Sequence, residues 1–596
     1  MSGRSTLCAL IALAFGMAAG VAQAAAPPRC NLGKFADLPV TMTGMRPHVM
    51  VKINGVDTPF TVDSGAFFSI LNRATVDKMG IRTTMAPFGY EVRGVGGAEN
   101  RVDVATVKRF GLGILDLPDI VFLALPDAER GSAGLLGQNV LSLFDTEYDI
   151  GNGMIRLMKP SEGCAHANLG YWADDKAVNV VDVESISPQQ RHLRGTIRIN
   201  GQKVKVIFDT GAASSVLRRS SAERLGFRVD GPGVVARGPA HGIGARTGQI
   251  WTAPFESIDF GGEQISHTQL QVGDIDLLGA DMLVGIDFFL SHRIYVSKQQ
   301  HKLFITYNGG PVFRLEAGAR PQVAGDAPPP AATGQYADTP TDAAGFVRRA
   351  DASLARRDYP AAIADFGKAI ELEPSVAQHY VQRANVHAAA GEAVLAMADF
   401  DQALKLRPNN VNALIGRGRL YLISGDATRG QADLDAAVKL VPETALAVGT
   451  IYANNQRYDP ALADLTMWID AHPKAENLAE ALSERCRTRT FANRDLDKAS
   501  ADCEAAIKQG PPRAGLFEAR GLLHLRRGET DAALADFNRA LNENGKLAWA
   551  LYGRSVAERA KGQSAPAEAD LAAAKAIAPR LPEAGRRYGF EGGNAG

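Results

Sequence analysis

Ile207-Phe208-Asp209-Thr210-Gly211-Ala212 sets two apolar β-formers before an acid, a hydroxyl, a glycine and a small residue. The same order occurs earlier, headed by a threonine, as Thr61-Val62-Asp63-Ser64-Gly65-Ala66. An Asp-hydroxyl-Gly triplet is a weak signal alone, because chance copies are common in a chain of 596 residues. The surroundings of the two copies strengthen it. Upstream of each lies an alternating run that ends in Asn-Gly: Val49-Met50-Val51-Lys52-Ile53-Asn54-Gly55 and Gly195-Thr196-Ile197-Arg198-Ile199-Asn200-Gly201. Asn-Gly between two β-rich runs signals a hairpin, because both turn residues must accept positive φ. Each of these glycines stands eight residues before its Asp.

Downstream of each copy comes a Gly-rich hairpin candidate, Arg93-Gly94-Val95-Gly96-Gly97 in one case and His241-Gly242-Ile243-Gly244 in the other. Further on stand Leu135-Leu136-Gly137-Gln138-Asn139 and Leu283-Val284-Gly285-Ile286-Asp287. Asp63 and Asp209 are 146 residues apart, while Gly94 to Gly242 and Gly137 to Gly285 both span 148. Markers in register over such a distance define an internal duplication. The first Gly-rich stretch lacks a following Lys-Ser/Thr and opens no helical pattern, which excludes a phosphate-binding loop.

The duplicated segments resemble the aspartic proteases, in particular the small retropepsin-like type, with both halves in one chain as in the pepsins. The resemblance implies Asp63 and Asp209 as the catalytic pair, with Ser64, Gly65, Thr210 and Gly211 supporting the two loops. It implies Gly94 and Gly96, and Gly242 and Gly244, as flap residues. It also implies that the Leu-Leu-Gly segment is the strand and short helix packed behind the catalytic loop. The flap lacks an obvious matched tyrosine, although Tyr90 lies just before the first hairpin. The chemistry fits the residue types: two carboxylates about 3 Å apart share one proton, because like charges that close cannot both ionise. One then acts as base toward water and the other as acid toward the carbonyl oxygen.

Around this unit, the chain is expected to fall into six parts. Residues 1–24 read as a secretory signal peptide, with Arg4, an Ala-rich apolar run and Ala22-Gln23-Ala24 as the cleavage motif. The protein is therefore expected to be exported, periplasmic or secreted, with no stable membrane insertion after cleavage. Residues 36–160 and 175–308 form the two retropepsin-like β halves. The 309–342 stretch, with Pro328-Pro329-Pro330, is a linker. Zero net charge excludes nucleic acid as the main partner. No Cys/His cluster has metal-ligand spacing, and no cofactor is expected. Removing the signal peptide leaves Cys30, Cys164, Cys486 and Cys503, an even number that allows disulfides in an exported chain. Cys30 and Cys164 flank the first half and stand where a bridge would clip its ends. His241, beside the second flap, is either a substrate contact or, as is commoner for such a residue, an ordinary surface histidine.

From residue 343 the apolar period becomes helical and a longer repeat appears. Pro374, Pro408 and Pro442 are 34 residues apart, as are Pro511, Gly545 and Pro579. Ala369, Ala403, Ala437, Ala506, Ala540 and Ala574 each stand five residues earlier, and Phe366, Phe400, Leu434, Cys503, Phe537 and Leu571 eight earlier. A degenerate unit with Leu465 and Pro473 fits between the two runs. This register resembles the tetratricopeptide repeat, in about seven units over 343–581, with 582–596 as cap and tail. Cys486 and Cys503 fall where two helices of one unit face each other, as a buried disulfide or as two packed thiols. Arg383, Arg417 and Arg419 line either the concave groove or a solvated helix face. The fold class is thus two β-barrel halves forming a bilobal aspartic protease fold, followed by an all-α solenoid.

The functional reading is an exported aspartic endopeptidase acting on a peptide or protein substrate, with the repeats docking a protein substrate or partner. Two other readings compete: a non-catalytic repeat scaffold with a protease-like binding fold, and an enzyme active only as an intermolecular dimer.

Overall fold

The computed structural model describes residues 30–86, 92–94, 97–99, 102–125, 132–173, 178–185, 192–240, 248–277, 279–313, 340–475, 477–509 and 513–590. The expected signal peptide, Tyr90, His241, most of the expected linker, and flap residues Gly96, Gly242 and Gly244 lie outside them.

Alternation builds the first hairpin. Along Arg46–Ile53, Val49, Val51 and Ile53 enter the core while Met50 and Lys52 face solvent. The chain turns through Asn54 and Gly55, at φ of 50° and 92°, and returns as Val56–Val62. The second half repeats this with Arg194–Ile199 and Gln202–Phe208, turning through Asn200 and Gly201 at 48° and 76°. The apolar pairs expected behind the loops run parallel to the loop strands, pairing Leu136 with Val62 and Val284 with Phe208. The short helices Gln138–Leu141 and Ile286–Phe289 follow them.

The two halves are joined by strands that the sequence did not assign to a common sheet. Its order is Asn179–Asp182, Lys302–Tyr307, His292–Ser297, Asp145–Asp149, Met154–Pro160 and Leu32–Thr43. Three of these strands come from each half. At the centre, Asp145–Asp149 pairs antiparallel with its own duplicate, His292–Ser297, so that Glu147 faces Tyr295. Arg156 and Arg293 reach Glu147 at 2.5 and 2.8 Å inside this sheet, and Tyr171 donates its hydroxyl hydrogen to the same carboxylate at 2.6 Å. Buried charge of both signs is thus compensated. A disulfide joins Cys30 and Cys164 beside the end of one strand pair of this sheet, where Leu32 pairs with Pro160.

Among the described residues, seven antiparallel helix pairs follow, from Ala343–Ala355 with Tyr359–Leu372 to Ala548–Ala560 with Ser564–Ile577, and then the helix Leu581–Arg587. The small and apolar markers of the 34-residue register are buried: Phe366, Phe400, Leu434, Cys503 and Phe537, with Ala369, Ala403, Ala437, Ala506, Ala540 and Ala574. Cys486 and Cys503 form a disulfide between the helices of the fifth pair.

Arg383 and Arg417 do not line a free groove. Each bonds bidentately to the Asp 16 residues later on the partner helix, Asp399 and Asp433. Arg349–Asp365, Arg520–Asp536 and Arg554–Asp570 repeat the arrangement, and Arg485–Asp502 follows it with one extra residue. Planar guanidinium and carboxylate match geometrically, so these pairs fix helix against helix. Arg419 is exposed.

The first repeat helix is part of the β unit as well. Ala352 belongs to the apolar core that runs through both halves. Arg356 donates to the Leu290 carbonyl at 2.6 Å, and a Cβ on Gly153 would lie 2.4 Å from the Arg348 Cβ. Among the described residues, no helix is long and apolar enough to cross a membrane.

Candidate active site

Each Asp follows an apolar strand end and precedes a turn, so its carboxylate is aimed back over its own loop. Gly65 and Ala66 donate their N–H groups to Asp63 Oδ1 at 2.9 and 2.7 Å. Gly211 and Ala212 do the same for Asp209 Oδ1 at 2.9 and 3.2 Å. The loops interlock through their hydroxyls. Ser64 N–H donates to Thr210 Oγ1 and Thr210 N–H to Ser64 Oγ, both at 3.0 Å. Ser64 Oγ donates onward to the Phe208 carbonyl at 2.8 Å, and Thr210 Oγ1 to the Val62 carbonyl at 2.7 Å. All four groups are buried, so each polar atom has exchanged water for a protein partner.

The lock brings the two carboxyl groups within reach of each other. Each lies against the opposite glycine: a Cβ on Gly65 would be 2.3 Å from Asp209 Cγ, and one on Gly211 would be 2.5 Å from Asp63 Cγ. Only glycine fits both places. Burial pushes the Asp209 carboxyl above the usual carboxylate range, against hydrogen bonds from Asp63 and from the Gly211 and Ala212 amides. Two carboxyls in this contact titrate as a unit. Tyr148 is buried in the shared sheet, where burial, reinforced by the Asp63 charge, pushes its phenol up.

Sequence reading passed over several residues around this pair. Gln138 Nε2 donates to the Ser64 carbonyl at 2.8 Å. Ser69 donates both its N–H and its hydroxyl to Asn139 Oδ1 and accepts from Gly137 N–H. In the second half, Ser215 donates both to Asp287 and accepts from Gly285 N–H. The signal was the equivalent placing of Asn139 and Asp287 after the Leu-Leu-Gly segment. Burial pushes the Asp287 carboxyl up to about 6. His192 enters from the second half, and its Nδ1 lies 2.8 Å from the Gly65 carbonyl oxygen. Among the flap residues, Gly94 pairs with Gly97 in the small hairpin Val92–Gly94 and Gly97–Glu99.

Two β halves that share a sheet and interlock their Asp loops define a bilobal aspartyl protease fold. Family models agree: residues 49–140 match the aspartyl protease model and residues 195–291 the gag-polyprotein aspartyl protease model. Residues 347–411 and 490–548 match the tetratricopeptide repeat model. The chain therefore carries retropepsin-like aspartyl protease domains followed by tetratricopeptide repeats. Similar solved structures include a tetratricopeptide repeat protein from Parabacteroides merdae, 18% identical, covering 42% of this chain and 98% of that one at a TM-score of 0.36. Yeast Tom70 is 20% identical and covers 42% of this chain and 54% of its own at a TM-score of 0.32. No curated protein matches the chain.

Proposed function

We propose that the protein is an exported aspartic endopeptidase that hydrolyses peptide bonds with water activated between Asp63 and Asp209. The observation that carries the reading is the contact of two carboxyls from equivalent loops of one chain, each fixed by two backbone N–H groups. That contact also favours the intramolecular pair over a dimeric one. One proton shared by the pair leaves a base for water and an acid for the substrate carbonyl oxygen. The two disulfides support export, because such bridges persist in oxidising compartments.

The repeats dock a protein substrate or partner and raise its concentration near the cleft. A cavity of about 580 Å³ between Tyr458, Phe491, Trp549 and Tyr588 supports this role. The test is turnover of a peptide library by the wild type and by Asp63→Asn and Asp209→Asn variants whose circular dichroism is unchanged. Both variants are expected to be inactive, and turnover retained by either one overturns the two-carboxylate mechanism.

A further inference from the structure

The two Asp loops are near-duplicates, but what reaches them from outside is not. His192 stands 17 residues before Asp209, and the residue 17 before Asp63 is Arg46. Arg46 is exposed. His192 is half-buried, with its Nδ1 at 2.8 Å from the Gly65 carbonyl oxygen and its ring edge-on to Phe67, 5.8 Å between centroids. It therefore crosses from the second half to grip the catalytic loop of the first. The gripped carbonyl shares its peptide plane with the Ala66 N–H, which is itself a donor to Asp63 Oδ1 at 2.7 Å. One imidazole thus touches the loop of one Asp while its charge is felt by the other.

We propose that His192 is a positioning residue that couples the geometry and ionisation of the Asp63–Asp209 pair to pH. Its hydrogen bond holds the Gly65–Ala66 peptide, and so the Ala66 N–H that donates to Asp63. When it binds a proton, the imidazolium adds positive charge beside the pair and favours the singly ionised dyad over the neutral one. Among the described residues, Arg194 and Asp209 are charged groups that act on the ring. Burial and Arg194 oppose its charging; the Gly65 carbonyl and Asp209 favour it. Its charge therefore develops on the acid side, where the dyad would otherwise become neutral.

The inference rests on the proposed proteolysis. The experiment is the pH profile of kcat/KM on a peptide found by library cleavage, for wild type, His192→Gln and His192→Phe. Gln keeps an N–H donor for Gly65 without the charge, whereas Phe loses both. In both variants the acid limb is expected to move up by about half a pH unit, the scale of one partly screened charge. The alkaline limb is expected to stay in place. The plateau is expected to fall about tenfold or more in the Phe variant and less than threefold in Gln, which retains the contact. Acid limbs that coincide with wild type overturn the proposal even if the plateau falls, since a purely structural role lowers activity without moving a limb. A wild type that cleaves nothing refutes proteolysis itself, and a thermal unfolding curve for each variant separates misfolding from both outcomes.

Discussion

Replacing Thr210 by Val removes one hydroxyl and keeps the shape of the side chain. That hydroxyl accepts the Ser64 N–H at 3.0 Å and donates to the Val62 carbonyl at 2.7 Å, and its surroundings are buried. The substitution leaves a buried N–H without its acceptor, at a cost of about 1–3 kcal/mol, and takes a donor from a carbonyl, worth about 1 kcal/mol more. The expected loss is about 2–4 kcal/mol. The helical repeats can unfold separately from the β unit, so a single thermal midpoint would blur the effect. Native-state hydrogen exchange read by mass spectrometry resolves it, because core strands exchange through opening of their own cooperative unit. Peptides covering 56–62 and 202–208 should exchange about 30- to 1000-fold faster, at a factor of ten for each 1.4 kcal/mol. Thr210→Ser, which restores the residue type found at position 64, should stay within about tenfold of wild type, since it loses only a methyl. A Val variant within about threefold of wild type would refute the claim that the hydroxyl lock holds the loops together.

Gly65→Ala should lower kcat at least about 100-fold on any peptide the wild type cleaves, because the new methyl displaces the Asp209 carboxyl by on the order of 1 Å; undiminished turnover would show that the loops do not meet as described. Asp287 binds its proton more tightly in the folded chain, at about 6, than an unfolded Asp at about 3.9. Its contribution is therefore full below about pH 4 and is lost as pH rises through about 6, a change of about 3 kcal/mol. Asp287→Asn should flatten that part of the stability curve in urea titrations between pH 4 and 7, and an unchanged slope would count against it. A chain ending at 342 should lose Ala352 and the Arg356 contact with Leu290, so its β unit should melt lower than that of a chain ending at 375. Equal melting temperatures would show that the first repeat is only appended.

The features written into local sequence were legible. Asn-Gly turns need left-handed backbone at both residues, and Asn54, Gly55, Asn200 and Gly201 adopt it. The 34-residue register reports which side chains sit where helices cross, and those side chains are buried, with Leu571 partly so. The Asp loops could be read because their four support residues act on their immediate neighbours and on their duplicates. What escaped was set by distant pairing. Nothing near Asp145–Asp149 announces that it will lie beside His292–Ser297, because strand exchange between halves leaves the apolar pattern of each strand unchanged. His192 sits in an ordinary strand entry and gains its place only when the halves close. Arg383 and Arg417 were open between groove and solvated face, and their pairing with Asp399 and Asp433 escaped because a spacing of 16 crosses a helix turn whose angle the sequence does not display.

The pairing of Asp145–Asp149 with its own duplicate gives the β unit the symmetry of an isologous dimer whose subunits share a covalent tether. In an untethered dimer every residue near the axis must serve both sides, so a change helpful on one side is imposed on the other. The tether lifts that requirement. Glu147 faces Tyr295 rather than a second Glu, Asn139 corresponds to Asp287, and Arg46 to His192. Two carboxyls that begin as equals can thereby be given unequal neighbours, a freedom that identical subunits do not have.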